Sequence, residues 1–198
     1  MKNLIAAALV SLSFSGAAFA DVYKMDPGHT EVRFYWNHAG LTEQSGEWGK
    51  VDGEIEFDRD NIEATKVTIE IDAASIDTGV ADLDKHLRSA DFFDVEKHPK
   101  ITFVSTSAKQ TGAKSVLVTG DLSIKDTTNP VEVDVELVFE GENPLGGFFD
   151  YYKGEWIGVH ASGTLVRSDF GVGMFAPLTS DRIRLEIATE MRKGGWEK

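Results

Sequence analysis

The 198-residue chain contains no cysteine. Disulfides, thiol nucleophiles and thiolate metal sites are therefore excluded, and the fold rests on packing and hydrogen bonds alone. No segment is apolar for long enough to cross a bilayer, which takes ~20 residues. Proline is scarce, at five residues, and there is no Pro/Gly/Ser linker, internal repeat or low-complexity tract. One domain is expected. The G-x-S-x-G nucleophile motif, the P-loop and the dinucleotide fingerprint are all missing; Gly171-Val172-Gly173 lacks a strand-to-helix setting. His29, His38, His86, His98 and His160 show neither H-x3-H nor H-E-x-x-H spacing. No helix then presents two imidazoles on one face, and neither a metal site nor a cofactor is expected.

What is present begins with a leader. Lys2 supplies a positive start, Leu4 to Phe14 is a short uncharged and mostly apolar run, and Ala18-Phe19-Ala20 is a small-x-small cleavage site. These three parts make residues 1–20 a signal peptide cut after Ala20, rather than a buried first helix or strand. Export to the periplasm follows, with residues 21–198 as the mature domain. Without a cysteine at the cut there is no lipid anchor, so the product is expected to be soluble. Loss of Lys2 takes the formal net charge from −13 to −14. Such a surface repels nucleic acid and anionic membranes, and it keeps the protein dispersed.

The mature sequence alternates. Val32–Trp36, Glu54–Phe57, Val67–Asp72, Val131–Leu137 and Ile183–Ile187 each switch between apolar and polar residues with a period of two. That places one set of side chains on each face of a half-buried strand. Ile101–Ser105, Val116–Leu122 and Trp156–Val166 read as further strands, about eight in all. Their spacing suits an all-β sandwich or barrel, and the pattern alone does not choose between them. Ala81–Ser89 carries acids early and bases late, as a short helix does. Asp58 to Ala64 reads as a single turn. Gly141–Gly154 (GENPLGGFFDYYKG) is the longest irregular stretch, and its four aromatic rings either fold over the core or guard an opening.

Two kinds of residue carry candidate chemistry. His86 with Asp84 or Asp91 has the composition of a general base and its acid partner, although the same residues suit a helix end. The aromatics Phe34, Trp36, Phe57, Phe92, Phe93, Phe103 and Phe170 sit in apolar surroundings and are candidates to line a pocket for an apolar ligand.

Taken in order, several segments resemble one family, the YceI-like proteins. Tyr23 to Thr30 (YKMDPGHT) is similar to its Y-x-[IL]-D-P-x-H-[ST] opening, and His38-Ala39-Gly40 to its H-x-G. Gly53–Asp58 and Ser75–Gly79 followed by Asp84–Asp94 continue the resemblance. So do His98–Phe103, Gly120–Ile124 and Arg167–Gly171 (RSDFG), which lies near the C-terminus. Thr30 stands where serine is common, Asp126-Thr127-Thr128 departs from the usual turn, and the 141–154 loop has no counterpart. The resemblance implies an antiparallel, lipocalin-like β-barrel of about eight strands with one short helix and an elongated apolar interior. It implies a metal-free exported binding protein, not an enzyme. The implied ligand is a long apolar amphiphile: a polyisoprenoid, an isoprenoid quinone precursor or a fatty amide. Several relatives are dimers, so a homodimer is a further expectation. A polar head at the barrel mouth would meet His86, Arg88 or Arg167. Two alternatives stand beside this: a hydrolase using His86, and a dimeric interaction module with no ligand.

Overall fold

The computed structural model describes residues 20–196. The signal peptide expected over residues 1–20 lies almost wholly outside them. Ten strands and one helix follow in order: β1 Asp21–His38, β2 Thr42–Trp48, β3 Val51–Phe57, β4 Lys66–Asp72, β5 Ile76–Asp77, α1 Ala81–Arg88, β6 Lys100–Gln110, β7 Ser115–Ile124, β8 Thr127–Glu142, β9 Glu155–Val166 and β10 Arg182–Lys193. Every pairing is antiparallel, and β10 closes on β1. β2 and β3 share one place in the ring. β2 pairs with the second half of β1, from Val32 to His38, while β3 pairs with its first four residues. The result is a closed eight-stranded antiparallel barrel with one helix. Closure removes the free sheet edges that would otherwise invite aggregation, and eight strands enclose just enough room for side chains or one small ligand.

The alternating runs become strands because each offers an apolar face to the interior and an acidic face to water. β8 is the clearest: Val131, Val133, Val135 and Leu137 point inward, and Glu132, Asp134 and Glu136 point out. β1 runs further back than its alternating core, to Asp21. Between Met25 and Thr30 its register with β10 shifts, so Asp26-Pro27-Gly28-His29 bulges from the ladder. A bulge is where a strand tolerates proline and glycine.

β2 (TEQSGEW) was not legible as a strand, since it has almost no apolar alternation. The reason lies across the ladder: Gly46 pairs with Phe34, and a Cβ at Gly46 would collide with the end of that ring. Phe34 fills the volume that an inward side chain of β2 would otherwise occupy. Gly120 on β7 does the same beneath Phe103.

The expected helix appears as α1, and the expected turn at 58–64 contains a single 3₁₀ turn over Ile62–Ala64. The 141–154 stretch divides. β8 continues to Glu142, two 3₁₀ turns span Pro144–Gly147 and Asp150–Tyr152, and β9 begins at Glu155.

The connections make the two ends unequal. At what we call the upper end lie the β1–β2 hairpin, the segment from β4 to β6 that carries α1, the β7–β8 turn and the long β9–β10 connection. The lower end has the 58–65 turn, the β6–β7 hairpin and the 143–154 loop. A packed cluster at the upper end includes Ala73, Ile76, Phe170 and Val172, and a second one at the lower end includes Tyr23, Met25 and Met191.

Candidate functional site

Between those clusters the barrel is hollow. The inward residues of β8 are only half-buried, although they face away from bulk water. Filled barrels bury such positions completely, so space lies beside them. Two chambers account for it. The lower, of ≈ 180 Å³, is walled by inward residues of the strands. Valine, isoleucine and leucine dominate it, and Thr65 and Thr189 are its only hydroxyl-bearing residues. The upper, of ≈ 280 Å³, lies under α1 and the β9–β10 connection and is lined by rings: Phe34, Trp36, Phe92, Phe93 and Phe175. Both chambers share Trp48, Ile124, Leu165 and Leu185. They form one interior, pinched at that level, and together reach the size of ordinary small-molecule sites, roughly 300–1,000 Å³. Wider depressions of ≈ 480, ≈ 620 and ≈ 720 Å³ lie on the outer wall, where outward acids such as Glu31, Glu132 and Glu190 contribute to their linings.

The upper chamber is closed by elements that local sequence builds. Leu83, His86 and Leu87 of α1 line it at i, i+3, i+4 spacing, which is one helix face. Asp84, beside this face, is buried and accepts from the Thr78 backbone N–H (2.8 Å) and hydroxyl (2.6 Å), tying the start of the helix to the turn before it. The His86 Nε2 lies 3.1 Å from Asp91 Oδ2, and its ring meets the Phe92 ring edge-on at 5.1 Å. The acid partner of His86 is thus Asp91 and not Asp84. Phe175 closes over both rings, 6.1 Å from His86 and 6.5 Å from Phe92. It does so from a left-handed backbone (φ +64°), a strained conformation for an aromatic residue.

Of the seven aromatics expected to line a pocket, Phe34, Trp36, Phe92 and Phe93 line the upper chamber, and Phe57 and Phe103 the lower. Phe170 lines neither. It is 2 % exposed in the upper packed cluster. Of the three head-group candidates, His86 faces the upper chamber. Arg88 donates to the Ala74 and Ile76 carbonyls and holds α1 to the barrel rim. Arg167 reaches the upper chamber wall, but its Nε donates to Ser180 O, one terminal nitrogen to Val172 O and Met174 O, and the other to Thr179 O and Oγ1. All five of its N–H groups are engaged in organising the 172–180 connection. Burial pulls its guanidinium pKa down from the ordinary value, and Asp181 works against that. His38, at the end of β1, bridges to Thr179 at the same rim.

A second polar cluster lies outside the barrel near its lower end, on the β1 bulge. Asp26, fully buried, accepts from the Gly28 N–H (2.8 Å) and the Tyr151 hydroxyl (2.7 Å), and its other oxygen lies 2.8 Å from His29 Nδ1. Burial acts to raise the Asp26 pKa, but the hydrogen bonds from His29, Tyr151 and Gly28 outweigh it and hold it low. The bond to Asp26 raises the His29 pKa against burial, while burial and the same carboxylate push the Tyr151 phenol far up. Asp26, His29 and Glu190 form the one group of three His or acid residues among the described residues whose ligand atoms all lie within 4.8 Å of one another. Asp26 already has three hydrogen-bond partners, and through Tyr151 it latches the 143–154 loop to the wall. The Asp-Pro-x-His spacing was the available signal for this latch; nothing in the sequence pointed to Tyr151 as its third member.

The fold and its interior define a small closed β-barrel built around an apolar cavity. The chain belongs to the YceI-like domain family, which matches residues 23–191. It is 36 % identical to a UPF0312 protein of Ectopseudomonas mendocina, covering 96 % of this chain and 97 % of the relative. It is likewise 36 % identical to protein YceI of Escherichia coli O17:K52:H18, covering 96 % of each. Among solved structures, the Campylobacter jejuni YceI protein superposes with a TM-score of 0.68 at 26 % identity, over 82 % of this chain and 90 % of that one. Two more distant structures share the fold. Burkholderia cenocepacia BcnA has a TM-score of 0.73 at 22 % identity, over 84 % and 98 % of the two chains. A polyisoprenoid binding domain from Saccharophagus degradans has a TM-score of 0.62 at 11 % identity, over 88 % and 99 %.

Proposed function

We propose that this protein is a periplasmic carrier that holds a long apolar amphiphile, such as a polyisoprenoid, an isoprenoid quinone precursor or a fatty amide, inside its barrel. The observation that carries the proposal is the hollow interior: inward residues of β8 stay half-exposed to a space lined almost wholly by hydrocarbon. An empty apolar space of this kind forfeits packing on every side, and a bound chain restores it. Each methylene transferred there contributes ~0.8 kcal/mol, so affinity grows with chain length and needs few polar contacts. The binding that names the Saccharophagus degradans domain, which shares this architecture, supports the same reading.

Protein purified from a periplasmic extract without detergent should carry its ligand. Extraction into organic solvent and mass spectrometry should return a lipid in near-stoichiometric amount. A preparation that yields none, and that then fails to take up added polyprenols, overturns the proposal. The His86–Asp91 contact keeps one other reading in play, hydrolysis by His86. Ester turnover that disappears in His86→Ala would establish it.

A further inference from the structure

The outer wall of the barrel is acidic, but one part of its upper rim carries no charge. Residues 34–42, which run from β1 over the hairpin into β2, contain no Asp, Glu, Lys or Arg, and neither do residues 170–180 of the β9–β10 connection. The two segments are joined: His38 bridges to Thr179, and the Ser180 N–H donates to Asn37 O (3.0 Å). Their large apolar side chains stand in water. Leu41, Leu178 and Phe175 are exposed to 78 %, 68 % and 56 %, and Val80, just before α1, adds another at the same end. Phe175 also lines the upper chamber, as does His38, which is exposed too, so the chamber wall reaches the surface within this rim. The 143–154 loop likewise exposes Leu145, Phe148 and Phe149, but those lie near the lower end and line neither chamber.

We propose that this rim docks on the surface of a lipid bilayer, with Leu41, Phe175 and Leu178 entering the boundary between headgroups and acyl chains. The inference goes beyond the carrier reading and rests on it only for its purpose, the passage of an amphiphile between bilayer and barrel without crossing water. Backbone chemistry favours a bilayer over a protein partner. A segment that enters lipid must satisfy its backbone polar groups internally, because no water is there to do so. Arg167 does this from inside for the carbonyls of Val172, Met174, Thr179 and Ser180. The N–H groups of Ala176 and Thr179 donate to Gly173 O and Phe175 O, that of Leu41 donates to His38 O, and Pro177 has none. The rim thus offers apolar tips and few free hydrogen-bonding groups, whereas a protein interface carries about one hydrogen bond per 100–200 Å². Exposed apolar patches of this kind mark interaction sites. Charge fits the same occupant. The chain has a formal net charge of −13, yet the uncharged rim can meet neutral headgroups while the acidic walls stay in water.

The test floats delipidated full-length mature protein with vesicles of pure phosphatidylcholine. Wild type should float with them. Leu41→Asp combined with Leu178→Asp should lower the partitioning at least about tenfold, since each change takes an apolar tip from the bilayer and puts a charge there. Phe148→Asp, at the lower end, should leave it unchanged. Exchanging roughly a quarter of the lipid for phosphatidylglycerol should weaken wild-type binding, because its charge repels the acidic walls. The absence of cysteine lets Leu178→Cys and Phe148→Cys each take one environment-sensitive dye. The dye at position 178 should brighten and shift blue on the vesicles, and the dye at 148 should not; these readings decide if the double variant does not fold. A wild type that stays in solution, equal loss in Phe148→Asp, equal dye shifts, or binding that anionic lipid strengthens overturns the proposal. So does a double variant that turns a dimer into a monomer in sedimentation, because a second copy then covers the patch. None of these readouts needs a ligand, so the carrier reading stands or falls separately, on the extraction test.

Discussion

The two chambers share four residues, yet they are built in different ways. The lower one is made by strands, and its walls are aliphatic side chains that alternate with acids. The upper one is made by strand ends, a short helix and a long connection, and its walls mix aromatic rings with aliphatic side chains and carry two histidines, His38 and His86. Branched aliphatic walls bind without direction and reward buried area, so the lower chamber suits chain length. Rings and a few fixed polar groups reward shape and orientation, so the upper chamber suits the identity of the ligand's end. On the carrier reading, grip would fall to one end of the cavity and selection to the other.

Four experiments would break or sharpen this contrast. The largest effect is expected at Arg167. Arg167→Met removes five hydrogen bonds and leaves the buried Val172 carbonyl and the partly buried carbonyls of Met174, Thr179 and Ser180 without this donor. A loss of about 4 kcal/mol should follow, or roughly 12 °C in Tm. Hydrogen exchange should quicken in residues 172–181 while β6–β8 keep their protection. Uniform loss across both ends would mean that the chambers are not separate units.

Next come the glycines beneath the rings. Gly46→Ala forces Phe34 aside in the upper chamber, and Gly120→Ala forces Phe103 aside in the lower. Each should cost about 2 kcal/mol in denaturant unfolding, as overpacking does. Ring-current shifts in each variant should stay confined to its own chamber.

Val133→Phe fills the lower chamber from the middle of β8, opposite Gly163. Excluding two or so methylenes of a bound chain should weaken it about tenfold. Stability should change by under about 1 kcal/mol, because the ring enters empty space. Equal weakening by the outward Glu132→Ala would sink the assignment of the lower chamber to the chain.

The smallest effect belongs to the latch outside the barrel. Its carboxylate raises the folded pKa of His29 above its unfolded value. The stabilisation is therefore complete below about pH 6.5 and fades as pH rises through the raised value. The side chain is 44 % exposed, so screening keeps the gain under about 1 kcal/mol. Asp26 behaves in the opposite sense: its contribution is present above the ordinary carboxylate pKa and is lost as pH falls through the lowered one. His29→Asn should erase the His29 slope, the fall in stability as pH rises above about 6.5, in thermal melts. A slope that persists would assign it to another histidine.

The strand walls of the lower chamber and four rings of the upper one were readable from the chain; how α1 and the β9–β10 connection close over those rings was not. Val131–Leu137 predicts its own orientation, because the pleat has a period of two and the acids leave only one face to bury. β2 was unreadable because its inward volume belongs to Phe34, a residue of another strand. His86 could be singled out by type, but its partner could not: Asp84 and Asp91 are both close in sequence, and only the helix end directs the ring to Asp91. Arg167 reads as a ligand cation in sequence and acts as a brace in the fold, since carbonyls of the connection that follows it surround it.

The sequence by itself determined the strand class, the helix, the family and the greasiness of the interior, because periodicity and composition are local. Closure, the pinch at Trp48 and the duty of each arginine were decided only by the tertiary structure. Each depends on which residues distant in the chain share a volume, and on which donors and acceptors they leave one another.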